Sequence, residues 1–211
     1  MSAPTWWPWI TLALLGAWHG LNPGMGWLFA VSRGLQERRG AAVAGALPPI
    51  ALGHALAIAL ALVVLAIGRV GLTTTHLRWA TAAILIGFGV SKLIKHRHPR
   101  WVGMRIGFGG LTLWSFLMAT AHGAGLMLVP LFLVGATEPS CHARAGLSLS
   151  APSGYIGATL LHTAAMLAVT GAIALVVYYK LGLALLRRAW FNLDWLWSLA
   201  LIVSGAAALV W

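Results

Sequence analysis

The sequence predicts an all-α integral membrane protein, with six transmembrane helices arranged as two inverted three-helix repeats. Three observations predict it. Of 211 residues, 60% are hydrophobic and only 8% charged, where a soluble domain carries about 25% charged residues. The apolar residues collect into six runs, each near the roughly 20 residues that cross a bilayer. A histidine recurs at matched places in the first two runs of each half.

The runs fall near 6–32, 41–67, 77–95, 107–136, 153–179 and 190–211, with short polar segments between them. The chain therefore reads as one membrane domain over 1–211, with half one about 6–95 and half two about 107–211. Met1 to Trp9 lack a basic stretch, and the apolar run that follows is too long for a signal peptide, so none is expected. Cys141 is the single cysteine, which leaves no intramolecular disulfide to form.

The formal charge is +11, from 14 Lys and Arg against 3 acidic residues. These cations lie between the apolar runs, which is the pattern of membrane topology and not of a phosphate-binding stripe; no nucleic-acid partner is implied. The first, third and fifth loops hold Arg33, Arg38, Arg39, Lys92, Lys95, Arg97, Arg100, Arg105, Lys180, Arg187 and Arg188. The other side holds only Arg69, Arg78 and Arg144. Odd loops are expected in the cytoplasm and both termini outside, in the inner (plasma) membrane of a bacterium. Trp6, Trp7, Trp9, Trp79, Trp101, Trp190, Trp195 and Trp211 cluster near span ends and suit an interfacial belt. The long fourth loop, with Glu138, Cys141 and His142, is expected to connect helices, with a lid or a metal-capturing loop as the alternative.

Run one contains Trp18-His19-Gly20-Leu21-Asn22-Pro23-Gly24-Met25. Pro23 removes a backbone donor and the glycines weaken the helix, so the run is expected to break there. Such a break would free carbonyls beside His19, Asn22 and Met25, and is tolerated at membrane depth only when covered by protein or a water-filled cavity. Run four repeats the theme with His122-Gly123 and Met127. Runs two and five carry Gly53-His54 and Leu161-His162, offset from one another by nearly the same length of chain. Three spans per half is odd, so the halves are expected upside down relative to each other, with a shared site on the pseudo-two-fold axis.

Four histidines, His76, His96, His98 and His142, fall at span ends or in loops. His19, His54, His122 and His162 fall near mid-span, where ionisable groups are costly and face a cavity or each other. These four are the candidate substrate or metal ligands and proton carriers. Asn22, Met25 and Met127 are auxiliary, and Thr120, Thr159 and Thr163 are available to satisfy second ring nitrogens. No Asp or Glu lies at mid-depth, which disfavours Mg²⁺ and Ca²⁺. Imidazole with thioether support favours Ni, Co, Zn or Cu, and histidine can exchange such an ion for protons.

His19-Gly-Leu-Asn-Pro23-Gly24 followed by Gly53-His54-Ala55 resembles the first two helices of the nickel/cobalt efflux (NicO-type) proteins of the LysE-type exporter superfamily. That family shows His-Ala-Leu-x-Pro and Gly-His-Ser at these places. The resemblance is sharp over some fifteen residues and implies a six-helix inverted repeat that exports a transition-metal cation. Here Asn22 stands where the family commonly carries an acidic residue, and the family's long histidine-rich loop is absent.

The sequence thus points to a proton-coupled transporter of a transition-metal cation rather than an enzyme. Its partners would be the bilayer and a small cation or solute, with a homo-oligomer of the chain left open. Three alternatives stay open: an intramembrane histidine-ligated metalloenzyme, an exporter of an organic or sulfur-containing solute, and a purely structural membrane subunit. Turnover without net flux would mark the first, and metal-free purified protein the second.

Overall fold

The computed structural model describes residues 6–94, 107–135, 152–181 and 193–210, and every regular element among them is helical. Cys141, His142, Glu138, His96 and His98 lie outside the described residues.

Helix α1, Trp7–Leu21, begins with Pro8 in its first turn, where a missing N–H costs nothing. It stops at Asn22, whose extended backbone (φ −70°, ψ 123°) is the conformation favoured before a proline. A 3₁₀ turn, Pro23–Met25, leads to Gly26 at φ 122°, and α2 then runs Trp27–Glu37. The predicted break is present. It cuts the first apolar run so that α1 alone spans about 22 Å, short of a hydrocarbon core of about 30 Å.

Arg38 closes α2 in the left-handed region (φ 52°). A short α3, Gly40–Ala44, precedes α4, Leu47–Gly71, and Thr73 caps α5, Thr74–Ile94, by accepting from His76 N at 3.3 Å. In the second half α6, Phe108–Ala121, ends at His122. Gly123 turns the chain at φ 67°, a 3₁₀ turn follows at Leu126–Leu128, and α7 occupies Val129–Gly135. Helix α8, Pro152–Val176, runs on into a π-helical turn at Val177–Leu181, and α9 covers Leu193–Val210.

Two stretches are long and apolar enough to cross a membrane, Gly40–Gly68 and Ser153–Lys180. Phe108–Ala121 with Leu126–Phe132, bent by 47°, makes a third if the bent pair is one span. Among the described residues length and apolarity thus give two or three spans where the sequence leads one to expect six. The surface agrees in kind: Leu60, Val64 and Ile67 of α4, Leu160 of α8 and Val203 of α9 all face outward.

The helices pack in three principal pairs, α1 with α8, α4 with α6, and α5 with α9. Each pair joins one helix from the first half to one from the second. At each crossing a glycine lets main chains touch, the small-residue contact usual between membrane helices. A Cβ on Gly16 of α1 would collide with the carbonyl of His162 on α8. One on Gly53 of α4 would strike the carbonyl of Thr112 on α6, and one on Gly205 of α9 would come 3.1 Å from the carbonyl of Ala82 on α5.

Apolar clusters lie above and below the histidines. One contains Leu12, Ile58, Leu128, Phe132 and Ala158; another contains Trp27, Val43, Ile50, Leu111, Met166 and Val177. Along α4 the order is Ile50, His54, Ile58, and along α8 it is Ala158, His162, Met166. On both helices the histidine sits one turn from each apolar layer, on the same face.

Candidate functional site

Three of the four predicted histidines meet. The ring centroids of His19 and His162 are 4.9 Å apart, those of His54 and His162 5.4 Å, and those of His19 and His54 5.5 Å. All three residues are fully buried. The positions follow from the pairing: α1 lies against α8, and α4 touches α8 as well as its own partner α6.

The rings are held differently. His19 Nδ1 donates to the carbonyl of Leu15 in its own helix at 2.7 Å, and His162 Nδ1 donates across to Leu12 of α1 at 3.1 Å. A carbonyl can only accept, so Nδ1 carries hydrogen in both rings, and a neutral ring then keeps its lone pair on Nε2. His162 Nε2 has no hydrogen-bond partner among the described residues, and neither nitrogen of His54 has one.

His122 stands beside this group, at the second helix break. Its Nδ1 donates to Met118 of its own helix at 2.7 Å, matching the His19–Leu15 bond in the first half. It lies within electrostatic reach of His19, and a Cβ on Gly24 would sit 3.6 Å from its Cε1. Met25 and Met127 also come together, in an apolar cluster with Leu85 and Leu201.

Two expectations about the surroundings are corrected. The carbonyls at the first break are not free. His19 O accepts from Asn22 N (3.2 Å), Gly20 O from Thr170 Oγ1 (3.3 Å) and Leu21 O from Trp27 Nε1 (3.1 Å). Asn22 O accepts from Met25 N (3.0 Å), Pro23 O from Gly26 N (3.3 Å) and Gly24 O from Trp114 Nε1 (3.2 Å). Buried backbone groups must be paired, and here the chain pairs them itself, so oxygen ligation at the break gives way to ring nitrogen. Thr120 and Thr159 do not serve the rings either: each hydroxyl donates to the carbonyl four residues earlier, Phe116 and Tyr155. Thr163 Oγ1, next to His162, is buried without a partner among the described residues.

Asn22 uses Oδ1 to accept from Gly24 N at 2.8 Å, while its buried Nδ2 has no partner among the described residues. Its oxygen is thus committed to the turn, and what it turns toward the interior is a donor. Trp27, Trp114 and Thr170 were not singled out in the sequence, although an indole or hydroxyl inside an apolar run is itself a signal that a nearby carbonyl needs a donor.

Three imidazoles bound to one ion through nitrogens about 2.0–2.1 Å away place their ring centres roughly 5 Å apart. The observed spacings are of that size. The nitrogens themselves do not converge: among the described residues no group of three or more His, Cys, Asp or Glu side chains is arranged to hold a metal ion. His54 and His162 lie nearly parallel, at 6°. The rings of His19, His54 and His162 thus meet by their faces and edges, with both nitrogens of His54 and Nε2 of His162 unbonded among the described residues. The chain matches no protein-family model, no curated protein and no solved structure.

Proposed function

We propose that the chain is an integral membrane transporter, and that His19, His54 and His162 form its central station for a transition-metal cation moved outward in exchange for protons. The observation that carries the reading is the meeting of three fully buried imidazoles from three helices, between two apolar layers, with no paired carboxylate among the described residues. Such a cluster costs stability and packs no better than leucine would, so a role beyond packing is its simplest account. Imidazole nitrogen prefers Ni, Co, Zn or Cu to hard cations. An imidazolium that takes up a metal ion releases its proton, which supplies the exchange.

The six-span inverted repeat belongs to the same reading. It is supported by the exchange of partners between halves, since the first helix of each half packs on the second of the other. The matching helix breaks and the matching His19–Leu15 and His122–Met118 bonds support it too. The basic-loop bias supports odd loops in the cytoplasm of a bacterial cell and both termini outside. The apolar layers on either side of the rings make this arrangement the occluded one.

The test is flux in sealed vesicles containing the purified chain, with Ni²⁺, Co²⁺, Zn²⁺ and Cu⁺ offered singly and a pH dye inside. Cation movement with opposite proton movement, abolished in H19A and H162A, is expected. Proton and cation traces equal to those of empty vesicles would overturn the reading. A second reading, an organic or sulfur-containing solute hydrogen-bonded by the rings, is favoured by the non-converging nitrogens and by the donor that Asn22 presents. Flux of such a solute from protein purified without metal would decide for it.

A further inference from the structure

One corner of the bundle gathers charge that the histidine site does not use. Both stretches long and apolar enough to cross a membrane have an end there, Gly40–Gly68 at Gly40 and Ser153–Lys180 at Lys180. The two ends touch. Tyr179, in the π-helical turn, puts its hydroxyl where a Cβ on Gly40 would stand, and Tyr178 Cδ2 lies 3.0 Å from where a Cβ on Gly34 of α2 would be. The two tyrosine rings meet edge to face, 4.8 Å between centroids. Paired tyrosines where two apolar stretches end mark the level of a membrane interface.

Four cations stand at this corner, Arg33, Arg38, Arg39 and Lys180, against one carboxylate, Glu37. Arg33 and Arg39 both bond that carboxylate, at 2.8 and 2.6 Å. Arg38 and Lys180 are exposed and lie within two residues of the Gly40–Tyr179 contact, and neither is paired with an acid among the described residues. The Tyr179 ring is 67% exposed, so its hydroxyl can be reached from outside. About one turn deeper on α8, Leu175 and Val176 face outward. A free anion would use the cations alone. A cationic rim resting on outward-facing apolar side chains fits a molecule with an anionic head and acyl chains.

We propose that this corner binds the headgroup of an anionic phospholipid, with the phosphate between Arg38 and Lys180, Tyr179 Oη donating to it, and the acyl chains lying along Leu175 and Val176. The inference goes beyond the transport reading and needs only that the two stretches cross a bilayer. Glu37 takes up charge from Arg33 and Arg39, which leaves Arg38 and Lys180 as the cations that attract the lipid. In the orientation proposed above the corner lies at the cytoplasmic leaflet, where anionic headgroups draw basic side chains to the surface. A lipid held there would pack over the Gly40–Tyr179 contact and brace the join of α3 to α8.

The experiment titrates the full chain, purified in a neutral detergent, with phosphatidylglycerol or phosphatidylcholine, and counts the lipid retained per chain by native mass spectrometry. The unsubstituted chain is expected to keep phosphatidylglycerol under conditions that strip phosphatidylcholine. R38Q/K180Q is expected to need roughly tenfold more phosphatidylglycerol for the same occupancy, while unfolding at the same temperature when no lipid is added. R38K/K180R, which keeps both charges, and R78Q, near the far end of α4, are expected to retain the lipid as the unsubstituted chain does. Equal retention of the two lipids overturns the site, as does unchanged affinity in R38Q/K180Q or a like loss in R38K/K180R or R78Q. Displacement of phosphatidylglycerol by excess inorganic phosphate overturns the lipid as ligand, since an ion without acyl chains would then suffice. Every variant leaves the histidines in place, so these outcomes bear on the lipid site and not on the transport reading.

Discussion

His162 Nδ1 donates to the main-chain oxygen of Leu12, 150 residues earlier in the chain, at 3.1 Å. That bond ties the second half to the first at the depth of the ring cluster. It also fixes Nδ1 as the nitrogen of His162 that carries hydrogen. The bond forms only because Gly16, one turn along α1, lets the two backbones touch.

Gly16→Ala should therefore act as a core lesion. Its methyl meets the His162 carbonyl, a backbone atom that cannot swing away, and overpacking of this kind costs about 1–3 kcal/mol. Gly87→Ala in α5 is the control, since a Cβ there meets nothing within 4 Å and replaces glycine in a helix, a gain of up to about 1 kcal/mol. Thermal unfolding in detergent should show G16A lowered and G87A unchanged or raised.

Trp114→Phe keeps the apolar bulk but removes the N–H that satisfies Gly24 O from the opposite half. A buried carbonyl left without its donor costs about 1–3 kcal/mol. The loss should appear as a lower unfolding temperature. It should also appear as faster amide exchange at Gly24 to Trp27, where the turn loses its tie to α6. Unchanged exchange would mean that another donor replaces the indole.

Asn22→Asp should sharpen the proposed station. A carboxylate keeps the acceptor that Gly24 N needs and removes the buried amide donor that has no partner among the described residues. It also places an anion one turn from His19. Zn²⁺ affinity is expected to rise roughly tenfold, equivalent to about 1.4 kcal/mol. Without metal the buried charge should lower the unfolding temperature, and Zn²⁺ should restore it. Titration calorimetry and a melting series with and without Zn²⁺ would check both; equal affinities would remove Asn22 from the site.

Glu37 gives a prediction independent of function. Arg33 at 2.8 Å and Arg39 at 2.6 Å bond its carboxylate. Those hydrogen bonds hold the carboxyl below the usual carboxylate range. The folded value is the lower one, so the contribution is present above the ordinary carboxylate range and is lost as pH falls through the lowered value. The group is exposed, so the effect is small. The melting temperature of the unsubstituted chain should exceed that of E37Q slightly at neutral pH, and the difference should close on acidification.

The sequence by itself determined the helical class, because runs this long and this apolar can satisfy their backbone only as helices. It also determined the place of the first break, since Pro23 lacks a backbone donor and Gly20 and Gly24 weaken the helix around it, and it marked out His19, His54, His122 and His162 by their depth, of which three meet. It could not determine which helices pair, because that choice is made by glycines such as Gly16 and Gly53 meeting a specific main chain from the other half. It could not show that Trp27, Trp114 and Thr170 take up the carbonyls at the break, nor that His162 is anchored on Leu12 while His54 is bonded to nothing described. Those facts depend on side chains distant in sequence reaching one another, and only the packing of α1 on α8 and α4 on α6 decides which of them meet.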